Sequence, residues 1–205
     1  MRCVNCGAFS LRTICAACAA NLAECRLSMR QVEDFSIFYY YGYSEIRELI
    51  LSKHHEYGAA VLARIASLSL AKFPLHLQRE ISANPQNYEA FKTDGIFKFN
   101  AVPLDDDARS DYSHTAILAR ALKSELIEPK FHCLRAQNRV KYTGQSLEFR
   151  LKHKRNFKIL TPPKFPVILV DDIITSGLSM LQARESLIDG GFMPVCGLVL
   201  ANAKE

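Results

Sequence analysis

Two kinds of hydrophobic run alternate along this chain. Residues 167–170 are continuously apolar and rich in β-branched side chains, as in a central parallel strand buried on both faces. The run stops at Asp171 and Asp172; a short loop over residues 173–177 follows, and residues 180–187 then have helical character. Residues 96–102, ending at Pro103, read as another strand, 129–134 as a short one, and 194–200 as the last, after Gly190 and Gly191 close the preceding helix. Residues 35–41 form an aromatic-rich extended segment ending at Gly42. Between these runs the spacing turns helical. Ser44 is placed to cap a helix on which Ile46, Leu49, Ile50 and Lys53 share a face, and Val61, Leu62, Ile65 and Leu68 predict a helix over about 58–72. Ile117, Leu118, Ala121 and Leu122 predict one over 112–126. Residues 74–95, with two prolines and little apolar periodicity, read as a loop with a short helix near 87–91. Strands alternating with helices predict an α/β fold, a parallel sheet with helices on both faces. Ligands of such sheets sit at the C-terminal ends of the strands.

Length and cysteine spacing divide this picture in two. A chain of 205 residues buries one sizeable core and a small appendage. Cys3, Cys6, Cys15 and Cys18 form C-x2-C-x8-C-x2-C, two knuckles that suit tetrahedral zinc. The alternative, two disulfides, is disfavoured in a reducing compartment. Four protein thiolates fill the coordination sphere, so the zinc is structural. Residues 1–28 hold too few apolar side chains for a core of their own, and such sites supply about 10–16 kcal/mol of folding energy. The expected organisation is a zinc module over 1–28 and an α/β domain over 29–205. Cys25, Cys133 and Cys196 read as ordinary small apolar residues. No apolar run approaches membrane-spanning length and no leader opens the chain, so a soluble, cytoplasmic protein without membrane insertion is expected.

Charge changes the picture in one place. The net charge is only +5, but Lys130, Arg135, Arg139, Lys141, Arg150, Lys152, Lys154, Arg155 and Lys158 stand against a single acid, Glu148. This concentration favours a polyanion. With Phe131, Tyr142, Phe149 and Phe157 interleaved, Arg135, Arg139, Lys141, Arg150, Lys152, Lys154 and Arg155 are candidate single-stranded DNA contacts. A basic loop that covers pyrophosphate and a solvated basic face are the other readings.

The candidate chemistry lies where the apolar strand ends. Asp171 and Asp172 are followed by Ile173, Ile174, Thr175, Ser176, Gly177 and, at the helix start, Ser179. A strand running through a hydroxyl-rich turn into a helix N-terminus directs backbone N–H groups and a partial positive charge at one point, which suits a phosphate. The adjacent carboxylates suit vicinal sugar hydroxyls. A 5-phosphorylated ribose satisfies both halves.

These residues resemble the phosphoribosyl pyrophosphate (PRPP) motif of type I phosphoribosyltransferases. The resemblance implies that fold and PRPP bound with Mg²⁺ at Asp171, Asp172, Ile173, Ile174, Thr175, Ser176, Gly177 and Ser179. Over nearly its full length the chain also resembles the ComF family of bacterial competence proteins. The matching segments are the zinc knuckles, Tyr39-Tyr40-Tyr41-Gly42 with Ile46 to Lys53, Val102-Pro103-Leu104, Leu118-Ala119-Arg120-Ala121-Leu122, and Gln145, Leu147, Arg155 and Asn156. Arg109 falls where the family places an arginine and is the candidate pyrophosphate contact. The chain departs from the family at Ser110-Asp111-Tyr112-Ser113-His114, and in having Asp105, Asp106 and Asp107 where a pyrophosphate loop is expected. The resemblance implies a role in natural transformation, handling incoming single-stranded DNA with other competence proteins as possible partners. The other function it leaves open is an enzyme, a phosphoribosyltransferase acting on an unidentified acceptor.

Overall fold

The computed structural model describes residues 1–104, 112–138 and 155–204. In chain order the elements are α1 (Ala16–Ala23), β1 (Ser28–Val32), β2 (Phe35–Tyr39), β3 (Tyr41–Gly42), α2 (Tyr43–Leu51), α3 (Gly58–Leu68), α4 (Phe73–Ala83), β4 (Lys92–Thr93), β5 (Ile96–Phe97) and β6 (Phe99–Pro103). They continue as α5 (His114–Arg120), β7 (Ile127–Pro129), β8 (Leu134–Ala136), β9 (Phe157–Ile159), β10 (Val167–Ile174), α6 (Leu178–Asp189) and β11 (Pro194–Asn202).

The main sheet runs β1-β2-β11-β10-β6-β7, with β3 also on β11. Its ladders are parallel except for the edge hairpin β1–β2. The fold is thus α/β with a mixed, mostly parallel sheet. Side chains alternate across each strand. Ile168 and Val170 of β10 pack with Ile46, Leu49 and Ile50 of α2, Val61, Leu62 and Ile65 of α3, and Leu118 of α5. Val167 and Leu169 face the other way, onto Met180, Ala183 and Leu187 of α6. The N-terminal segment joins the first of these cores through Ile14, Cys18, Ala19 and Leu22.

Several elements differ from the sequence reading, each for a local reason. β10 continues through Asp171 and Asp172 to Ile174, because β11 pairs with it as far as Ile174↔Asn202. On its other side β6 pairs only to Val170↔Pro103. Residues 73–83 form α4 rather than a loop. Pro74 occupies its first turn, where the missing N–H costs no helical hydrogen bond, and Phe73, Leu77 and Ile81 recur every four residues on its buried face. α5 is half the predicted length, since tightened bonds from Ala121 N to Leu118 O and Leu122 N to Ala119 O end it before β7. The expected strand over 129–134 resolves into the end of β7 and the start of β8. The α2 start is braced by Glu45, whose Oε2 accepts from Gly42 N at 2.8 Å, and not by Ser44. β1 was not foreseen.

Gly58–Ala83 is the one stretch among the described residues long and apolar enough to cross a membrane by length and composition, contrary to the expectation that none exists. It is broken at Ser69, where φ/ψ is −124°/−76°, and its apolar residues Val61, Leu62, Ile65, Leu70, Phe73 and Leu77 are buried in the core.

Candidate functional site

The four N-terminal cysteines come together: one sulfur from each of Cys3, Cys6, Cys15 and Cys18 lies within 4.8 Å of the others. Gly7, at φ 73°, turns the first knuckle, and its N–H donates to Cys3 O at 2.9 Å. Cys15 is the N-cap of α1, its sulfur accepting from Cys18 N, so the second knuckle is the start of a helix. Burial opposes ionisation of Cys3, but N–H donors from Cys15, Cys6 and Asn5 draw its pKa down to about 6. Cys18 accepts from Asn5 Nδ2, yet burial and the three neighbouring sulfurs push it up to about 12. Four thiolates in this space repel unless a cation lies between them. Tetrahedral zinc with ~2.3 Å bonds sets sulfurs about 3.8 Å apart, and Cys6 and Cys15 stand 3.7 Å apart. The cluster fits a metal such as zinc.

The second site lies where β6 ends. The connection after β6 leads through α5 to β7 on one side, and that after β10 leads through α6 to β11 on the other, with α5 and α6 on opposite faces. β6 and β10 therefore flank a topological switch point, the place where open α/β sheets bind ligands. Asp171 and Asp172 stand there, just past the last β6–β10 pair.

The two carboxylates are neighbours on β10, and an oxygen of each lies within 4.8 Å of an oxygen of the other. Asp172, on the α2–α5 face, meets Lys53, whose Nζ donates to its Oδ2 at 2.5 Å, and His114, whose Nε2 lies 3.9 Å from the same oxygen. Burial raises the carboxyl's pKa, but the Lys53 and His114 charges more than offset this and hold Asp172 below its ordinary value. Burial likewise works against the Lys53 ammonium, and Asp172 outweighs it, so Lys53 is held above its ordinary value. Both directions favour an intact ion pair. Asp171 differs: burial and the negative charge of Asp172 push it up to about 7, with Arg155 pulling the other way. One oxygen or nitrogen from each of His114, Asp171 and Asp172 lies within 4.8 Å of the others.

The loop beyond is held from the edge hairpin. Ile174 closes the strand, Thr175 and Ser176 form the bend, and Gly177 takes φ 86° as the N-cap of α6, with Ser179 in the first turn. A Cβ at Gly177 would come 2.8 Å from Val32 Cγ1 of β1, so both the positive φ and the close approach require glycine. Arg30 of β1 donates through Nη1 to Thr175 O at 2.7 Å and to Asn202 Oδ1 at 3.1 Å.

The structure therefore gathers Asp171, Asp172, Ile173, Ile174, Thr175, Ser176, Gly177 and Ser179 into one strand–loop–helix unit. Arg155 lies near Asp171, its backbone N–H donating to Gln182 Oε1 of α6 at 2.9 Å. Arg135 is exposed on β8, opposite Lys158 of β9. Arg109, Arg139, Lys141, Arg150, Lys152 and Lys154 lie outside the described residues. Sequence reasoning did not place Lys53, His114 or Arg30 at the site. Only Lys53 carried a signal, as a lysine on the otherwise apolar face of Ile46, Leu49 and Ile50. Compared with models of known protein families and with curated proteins, the chain finds no match.

Two outcomes follow from these geometries. Purified protein carries one zinc per chain by elemental analysis, and Cys15→Ser with Cys18→Ser loses the metal and with it cooperative unfolding of the N-terminal segment; full occupancy in the double variant would refute the ligand set. Asp171 retains its proton in the folded state to about pH 7 but loses it near pH 4 when unfolded. The folded state thus binds more protons between these values, so this contribution is present below about pH 4 and is lost as pH rises through about 7. Asp171→Asn removes a decline of up to about 4 kcal/mol over that window, measured by urea denaturation at stepped pH.

Proposed function

We propose that the chain binds a 5-phosphorylated ribose bearing a diphosphate, PRPP, at the strand–loop–helix unit 171–179. The observation that carries this is the pairing of a carboxylate pair at the switch point with a glycine-capped helix start five residues on. Gly177 supplies no capping side chain, so the first-turn N–H groups of α6 are suited to phosphate oxygens. Asp171 and Asp172 accept from the 2- and 3-hydroxyls. Mg²⁺ accompanying the diphosphate would offset its repulsion from the carboxylates. In this reading the domain is of the type I phosphoribosyltransferase kind, and the Cys3, Cys6, Cys15 and Cys18 cluster is a structural zinc site.

The sequence resemblance to the ComF family extends the reading to a cytoplasmic role in natural transformation, with single-stranded DNA as the macromolecular ligand. One structural observation supports a polyanion near the arm built by β8 and β9. Arg135 and Lys158 sit directly opposite each other across this antiparallel pair, both exposed, so two cationic side chains are presented together, which suits a polyanion. The second function, transfer of the phosphoribosyl group to an unidentified acceptor, is favoured by the position of Asp171. A carboxyl with pKa about 7 beside the sugar is matched to proton transfer at neutral pH.

Calorimetry tests the first claim. Wild-type protein binds PRPP in the presence of Mg²⁺, and Asp171→Asn with Asp172→Asn abolishes the heat of binding while circular dichroism stays unchanged; equal affinity in a folded double variant sinks the phosphoribosyl reading. For the DNA claim, affinity for single strands falls with salt, and Arg135→Ala with Lys158→Ala lowers the logarithmic slope by about 1.4 if each side chain touches one phosphate. An unaltered slope removes the arm from the DNA surface.

A further inference from the structure

The Lys53–Asp172 pair has a property that a structural brace does not require: it stands in the ligand's place. Asp172 Oδ2, the atom Lys53 holds, belongs to a carboxylate that the ribose diol needs. Lys53 is brought there from a 3-10 turn, Ser52–His54, far from β10 in sequence, and both side chains are largely withdrawn from solvent, at 20% and 9% exposure. Its backbone is fixed: Tyr112 Oη donates to Lys53 O at 2.7 Å. The turn is also pressed against α3, since a Cβ at Gly58 would lie 2.2 Å from Ser52 O and 2.8 Å from Lys53 Cα. The flexible part is the four-carbon stem, and its ammonium swings through a short arc while the backbone stays in place.

Strand order gives the arc a direction. The 175–177 loop leans toward the β11 side of β10, where Arg30 and Val32 hold it and Ala203 N donates to Ile174 O at 2.8 Å. His114 approaches from the β6 side, opening α5 after β6, and Tyr112, two residues before it, donates to Lys53 O and ties Lys53 to that connection. On a furanose ring the C5 and C1 substituents flank the ring oxygen, while the 2- and 3-hydroxyls occupy the opposite edge. A sugar with its 5-phosphate in the loop and its diol on the carboxylates therefore carries its C1 substituent toward β6.

Resting on the reading of the site as a phosphoribosyl one, we infer that Lys53 is the C1-side cation of that site. In the free protein it neutralises Asp172. When ligand arrives it exchanges the carboxylate for the diphosphate on C1, leaving Asp172 to the diol. It remains an ammonium throughout, so no proton moves. The exchange makes Lys53 selective for sugars that carry a C1 diphosphate over those that carry a hydroxyl there, because only the former return a counter-charge to the displaced lysine.

The test compares two probes, PRPP and ribose 5-phosphate, on wild type, Lys53→Gln and Lys53→Met, by calorimetry with Mg²⁺ and with thermal unfolding as the control for folding. Lys53→Gln keeps an amide N–H for Asp172 without the charge, so it preserves the fold if Lys53→Met does not. PRPP affinity falls at least tenfold in Lys53→Gln, and affinity for ribose 5-phosphate stays within twofold or tightens as Asp172 is released. Equal losses for both probes, or no loss for PRPP, overturn the inference while leaving the phosphoribosyl reading in place. Failure of the wild-type protein to bind either probe overturns that reading and the inference together.

Discussion

Past Val170, among the described residues, β10 pairs on one side only, and most of what surrounds Asp171 and Asp172 depends on that. The β6 ladder reaches Pro103, and Leu104 N closes it by donating to Val170 O at 2.9 Å. β11 meanwhile carries β10 four residues further. The extra pairing keeps the acidic pair on extended, hydrogen-bonded backbone in the switch-point crevice, past the four β6 pairs. Two carboxylates in that crevice cannot both be charged and dry. Lys53 and His114 meet one of them and Arg155 approaches the other, so three cations are drawn to one strand end by the cost of leaving the carboxylates bare.

How much of this was legible follows from how local each signal is. β10, its acidic pair and the glycine before α6 lie within a dozen residues, and all could be read from type and order. The cysteine knuckles were legible for the same reason, and their sulfurs do converge. The coarse fold class also followed from the alternation of runs. What was missed depends on distant partners. α4 was hidden because prolines read as breakers, although Pro74 sits where a helix tolerates one. The length of β10 is decided by β11, and the shortness of α5 by β7. β1 is polar and mostly exposed, an edge strand with no apolar alternation to betray it. Lys53 and Arg30 reach the site across 119 and 145 positions in sequence, which no periodicity records.

The cysteine knuckles and the sheet share one core. Ile14 and Leu22 pack in the same apolar cluster as Ile65 and Leu70, and Tyr41 Oη donates to Leu22 O at 2.8 Å. Immediately after α1 the chain forms the hairpin whose Arg30 and Val32 steady the 175–177 loop. Cysteine cluster, edge hairpin and loop are therefore mechanically in series, though the cysteines lie far from the carboxylates in sequence.

The order of the strands has a consequence for how the molecule comes into being. β10 and β11 occupy the middle of the sheet, yet they follow every other strand along the chain. During synthesis α2 and α3 emerge with Leu49, Ile50, Leu62 and Ile65 awaiting partners that do not yet exist, and β2 and β6 have no strand between them to join. These later strands are the keystone. Non-local closure of this kind is slow and leaves apolar surface open meanwhile, so the growing chain depends on early helix–helix contacts, such as those of α1 with α3, to stay out of aggregates until the centre arrives.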